Sequence, residues 1–204
     1  MAVTLIAAMA LPFLLPSGFS FVSQWLAPSI EGALLVALIA SDPGRIDRRQ
    51  SSIRVLSVVL VTVLVAGAVV ASVHLVSDII RAGPYTSSAS QLLRVGILVW
   101  LYIIISFSFM FWELDGGGPE ERFLAPRQFP DMAFPEQLNP DVARPGWRPQ
   151  FFDYLYVGFT NATAFSPTDV MPLARWAKLL MAIEASGSLV ILGLVIARAV
   201  NILK

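Results

Sequence analysis

FFDYLYVGFTNATAFSPTDVMP, residues 151–172, is the stretch on which the fold turns. An apolar run from Phe151 to Ala162 is cut off by the polar turn Thr163-Ala164-Phe165-Ser166-Pro167-Thr168-Asp169, and Pro172 closes the stretch. The run is too short to cross a bilayer, which takes about 20 consecutive apolar residues in a helix. The segment that follows, Trp176 to Leu203, is long enough. The order is therefore short apolar helix, polar turn, long membrane helix.

Composition sets the surroundings of this unit. Hydrophobic residues make up 56% of the chain, charged residues 14%, and the mean hydropathy is +0.72, against about 25% charged residues in soluble domains. An all-α integral membrane protein in contact with a lipid bilayer is expected. Lys+Arg and Asp+Glu are both 14, so no charge bias points to nucleic acid. The absence of cysteine excludes disulfides, thiol catalysis and cysteine-bound metals. The single histidine, His74, excludes a histidine-clustered metal site within one protomer. No nucleophile–base–orienter set is visible, so no catalytic residue, metal or cofactor is assigned.

Counting apolar spans outward from residue 151 gives three of full length: Ile53 to Ser77, Leu92 to Trp112 and Trp176 to Leu203. Val3–Leu15 and Pro28–Ala40 are shorter, with Pro16-Ser17-Gly18 between them. No Lys or Arg precedes Val3, so this first run reads as a retained membrane segment and not as a cleaved signal. Read as two helices, the N-terminal stretch brings the total to about five membrane helices plus a re-entrant one. Residues 1–90 are thus N-terminal membrane helices and 91–204 a second unit. That unit divides into an outer helix at 91–112, a Pro-rich loop at 113–150, a short helix at 151–165, a turn at 166–174 and an inner helix at 175–204.

The loop holds seven of the fourteen prolines, Gly116-Gly117-Gly118, and Phe123, Phe129, Phe134 and Trp147. Proline at this spacing predicts extended or turn-rich backbone. The aromatic residues predict packing, on the membrane surface or against a neighbouring subunit. Arg45, Arg48, Arg49, Arg54, Arg122, Arg127, Arg144, Arg148, Arg175 and Lys178 fall on the side of this loop, against Arg81, Arg94, Arg198 and Lys204 on the other. An excess of Lys and Arg marks the cytoplasmic side of a multi-pass plasma-membrane protein, which puts the loop there.

Thr163, Asp169 and Pro172 match the Thr-x-x-Gly-Tyr-Gly-Asp pattern, with a Pro three residues on, of the pore-helix and filter segment of tetrameric potassium-type channels. The chain resembles that pore-loop family over roughly a quarter of its length. Ser166, Pro167 and Thr168 stand where the family has its two filter glycines and the aromatic between them. The resemblance implies a helix–pore loop–helix unit in a homotetramer, with inorganic cations as the permeating species. The glycines of such a filter take left-handed backbone so that successive carbonyls face the ion. Pro167 and β-branched Thr168 disfavour that backbone. The alternative is a wider ring of Thr163, Ser166 and Thr168 hydroxyls with Asp169 at the mouth, giving weakly selective cation passage. Ser166-Pro167-Thr168-Asp169 also reads as a helix start, with an N-cap Ser, a Pro at the first position and an acid three residues after the cap. A non-conducting membrane structural or accessory protein derived from the channel fold is the matching alternative function.

Three other groups carry chemistry. Glu184, within the inner helix beside Ser186, Gly187 and Ser188, faces a pore, pairs with Arg175 or Lys178, or packs in protonated form. His74 and Asp78, four apart on one helical face, form a proton or pH pair or simply satisfy each other at an interface. Trp112-Glu113-Leu114-Asp115 followed by three glycines is an aromatic interface anchor and an exit turn, with two carboxylates that alone make a weak cation site.

Overall fold

The structure is a computed structural model, and it describes residues 2–16, 29, 32–33, 51–124, 128–139, 141–163 and 170–203. Within these, three helices are long and apolar enough to cross a membrane: α2 (Ser51–Ile80), α3 (Ala89–Leu114) and α7 (Arg175–Ile202). α1 (Ala2–Leu14) has 13 residues, about 20 Å at the helical rise, and is shorter than the hydrocarbon core of about 30 Å. Apart from residues 29, 32 and 33, the second expected N-terminal segment lies outside the described residues.

α2 is helical although rich in valine, a residue that loses rotamer freedom in a helix. In an apolar medium each backbone N–H and C=O must be paired within its own segment, and that requirement outweighs propensity. The hydroxyls follow suit: Thr62 donates to the Val58 carbonyl (2.7 Å) and Ser72 to that of Ala68 (2.6 Å). α2 stops at Ala82, which stands at φ 51° where such helix ends usually carry glycine.

α3 is the central helix, with 67% of its most apolar stretch buried, against 33% for α2 and 28% for α7. Small residues let its neighbours come close. The Tyr102 hydroxyl of α3 lies over Gly67 of α2, and Val195 of α7 packs over Gly96 of α3. α7 presents Ala177, Met181, Glu184, Ser188, Ile191, Val195 and Ala199 inward, a three-and-four spacing that defines one helical face.

The segment between α3 and α7 is turn-rich, as its composition predicts, but its prolines start helices as well as prevent them. α4 (Pro119–Leu124) and α5 (Pro135–Leu138) each begin on a proline, which fits the first helical turn because its missing N–H has no partner there. β1 (Met132–Ala133) pairs antiparallel with β2 (Met171–Pro172). α6 (Phe151–Ala162) ends three residues before the predicted boundary at 165, capped by Thr163. Its start is fixed by Asp153, whose carboxylate accepts the Gln150 N–H (2.6 Å).

Candidate functional site

Two sets of polar side chains meet where α6 lies against α3 and α7. The first closes the C-terminal end of α3. Gly116, Gly117 and Gly118 all have positive φ (59°, 87° and 105°), and these left-handed turns fold the chain back beneath the helix. A Cβ on Gly116 would stand 2.6 Å from Cγ of Arg122. The fold-back buries Asp115, 2% exposed. Its Oδ1 accepts the Met132 N–H (3.0 Å) and its Oδ2 the Tyr154 hydroxyl (2.5 Å). Burial and the adjoining Asp115 carboxylate push the Tyr154 hydroxyl far above the usual phenol range, so it keeps its proton and donates.

Arg122 locks the same turn. Its Nη1 donates to the Trp112 (2.7 Å) and Asp115 (2.6 Å) carbonyls, and its guanidinium lies over the Trp112 and Tyr154 rings at 4.6 and 5.0 Å. Asp131 accepts the Gly116 N–H (3.0 Å) on its side chain and the Leu173 and Ala174 N–H groups (2.9 and 3.0 Å) on its carbonyl. The loop, the start of α7 and the end of α3 are thus one hydrogen-bonded unit. Phe134 and Trp147 pack as their composition predicts: Phe134 meets Tyr154 at 5.2 Å and Trp147 at 5.8 Å. Phe123 and Phe129 are exposed. Both Asp115 oxygens thus accept protein donors, and the carboxylate braces the turn.

The second set lies deeper. α6 runs beside α3 from Phe151, 4.5 Å from Phe109, to Phe159, 6.0 Å from Trp100. Near its end Asn161 donates to the Met181 carbonyl (2.9 Å) and to Glu184 Oε2 (2.7 Å). Gly158 lets α6 press onto α3, since a Cβ there would collide with Ser108 Oγ and come within 3.1 Å of the Ile104 carbonyl. The Ser108 hydroxyl donates to that carbonyl (2.6 Å). Glu184 is 1% exposed.

Comparison with protein-family models, curated proteins and solved structures gives no match.

The residues singled out in the sequence are distributed as follows. Thr163 is half-buried, and its hydroxyl donates back to the Phe159 and Thr160 carbonyls (3.0 Å each) at the end of α6. Ser166, Pro167, Thr168 and Asp169 lie outside the described residues. Glu184 bonds to Asn161 and to neither Arg175 nor Lys178, and its carboxyl turns towards α6 of the same chain. His74 and Asp78 lie near the end of α2, with Asp78 packed on Gly83. Among the described residues no three His, Asp or Glu side chains converge as metal ligands do. Asn161, Tyr154 and Arg122 carry much of the geometry and were not singled out as site residues from sequence. A polar amide inside an apolar run was the one available signal for Asn161.

Proposed function

We propose that residues 91–204 are a pore-loop module of the potassium-channel type, acting as a homotetramer in weakly selective cation passage across the plasma membrane. One observation carries this reading. α6 leaves the C-terminal end of α3, where Phe151 meets Phe109, and reaches Trp100 at Phe159. The chain is back at Met171–Pro172, paired with Met132–Ala133 beside Asp115. Both ends of 151–172 thus stand at one end of α3, and the middle reaches partway along it. A 12-residue helix, about 18 Å long, goes only partway through a bilayer core of about 30 Å. Such a path supports reading α6 as a re-entrant helix between an outer helix, α3, and an inner helix, α7. Non-helical backbone at membrane depth is tolerated where protein or a water-filled cavity surrounds it. The fuller reading has five spans and the loop on the cytoplasmic face.

A second reading, a non-conducting membrane accessory protein on the same fold, has its own support. Glu184 and Ser188 face inward, and the exposed face of α7 offers Leu179, Ile183, Leu189, Val190, Ile196 and Val200. Such a face suits apolar closure. Purified protein reconstituted in liposomes separates the two. A tetramer passing potassium and sodium at rates within a few-fold of each other is the expected result, because no rigid carbonyl cage replaces the hydration shell. A folded tetramer without flux selects the second reading, and a monomer removes the pore altogether.

A further inference from the structure

The Glu184 carboxyl sits between α3, α6 and α7 and is 1% exposed. Oε2 accepts one N–H of the Asn161 amide; the other N–H goes to the Met181 carbonyl, so both amide hydrogens are spent. Among the described residues, Oε1 has no hydrogen-bond partner, and neither does the hydroxyl of Ser188, one turn further along the same buried face. Ser108 is already engaged with Ile104. No Lys, Arg or His among the described residues bonds to the carboxyl. On α7, Arg175 and Lys178 precede it by more than a turn and are exposed. The acid of α6, Asp153, is at the opposite end from Asn161, on the Gln150 N–H. On α3, Arg94, Glu113 and Asp115 lie towards the helix ends, and on α2 so do Arg54, His74 and Asp78.

A bare carboxylate in such a place is costly, because neither water nor a cation offsets its charge. A neutral acid is not, and with Oε2 engaged by Asn161 the proton falls on the unpartnered Oε1. We propose that Glu184 is a proton-binding site: a carboxylic acid, protonated on Oε1, whose Oε2 accepts from Asn161 of α6, so that the α6–α7 contact stays dry while the proton is held. Release of the proton would leave one negative charge without a cation beside Gly158 and Asn161 at the packed end of α6, and would draw water there. The site stands on this packing alone, independently of whether the protein conducts.

Dicyclohexylcarbodiimide, an apolar reagent, tests it on the full chain in liposomes. A protonated carboxyl adds across one C=N bond, its oxygen joining the central carbon and its proton a nitrogen, and the adduct rearranges to a stable N-acylurea with no leaving group. Mass spectrometry of fragments is expected to find the adduct on Glu184. Its rate should fall by roughly tenfold or more between acid and alkaline pH, as the reactive acid is titrated away, and sodium should not alter it. Labelling that ignores pH, or that sodium suppresses, overturns the proposal in favour of a carboxylate with or without a bound metal cation. Glu184→Gln, the uncharged isostere, is expected to keep the melting temperature of the parent and to remove its decline at alkaline pH. A Glu184→Gln protein that melts well below the parent, or fails to fold, would show that the charge is required and sink the idea.

Discussion

Ala82 and Asp115 show how single residues set this structure. Ala82 occupies left-handed backbone at φ 51° at the end of α2, a conformation costing a residue with a Cβ about 1–2 kcal/mol. Ala82→Gly should therefore raise stability by about 1 kcal/mol, read as a higher melting temperature in detergent; a decrease would mean that the methyl group has a packing role. Asp115 shows the opposite case, a polar group fully served by its partners. Tyr154→Phe removes the donor to Oδ2 and leaves a buried acceptor unsatisfied. A loss of about 1–3 kcal/mol is expected in denaturant unfolding, and a change of only a few tenths would show that another donor takes over. The turn at Gly116-Gly117-Gly118 was legible, because three glycines after a membrane helix signal an exit. The burial of Asp115 was not, since its partners Met132 and Tyr154 lie 17 and 39 residues away and no local pattern links them.

Among the elements, α6 depends most on contact with others. At 12 residues it is near the lower limit for a stable isolated helix, so packing against α3 and α7 holds it. Gly158→Ala should separate it from α3, because the new methyl meets Ser108 Oγ and the Ile104 carbonyl. The expected cost is about 1–3 kcal/mol. Adding Ser108→Gly should restore part of the loss, and a double variant no more stable than Gly158→Ala alone would place the strain on the Ile104 backbone. The long helices were legible to within three residues at each end, as hydropathy and the need for internal backbone pairing both select them. The small helices in the loop were missed because a proline read as a breaker is also a favoured first residue. The contact of Asn161 with Glu184 was equally hidden: each side chain can be picked out as a polar residue in an apolar run, but only the packing of α6 on α7 pairs them.

For the whole molecule, charge and topology together make a claim about orientation. If the Arg-rich side is cytoplasmic, a reporter inserted near Gly117 will be cytoplasmic and one fused after Lys204 will lie on the outer side. The reverse pattern would return the module to the ordinary potassium-channel orientation. Three helices long and apolar enough to cross a membrane were readable from hydropathy, whereas the joining of the long loop to the start of α7 through β1 and β2 depends on residues 40 apart in register, Met132 and Pro172. The distance between Asp115 and Tyr154 also imposes a schedule on synthesis. A ribosome adding about 5–20 residues per second needs roughly two to eight seconds to make the 39 residues between them. For that interval the nascent chain has completed α3 but has no hydroxyl for its terminal carboxylate. The bond from Tyr154 can close only after the start of α6 has been made, so until then the last turn of α3 is held by partners nearer in sequence, Arg122, Asp131 and Met132.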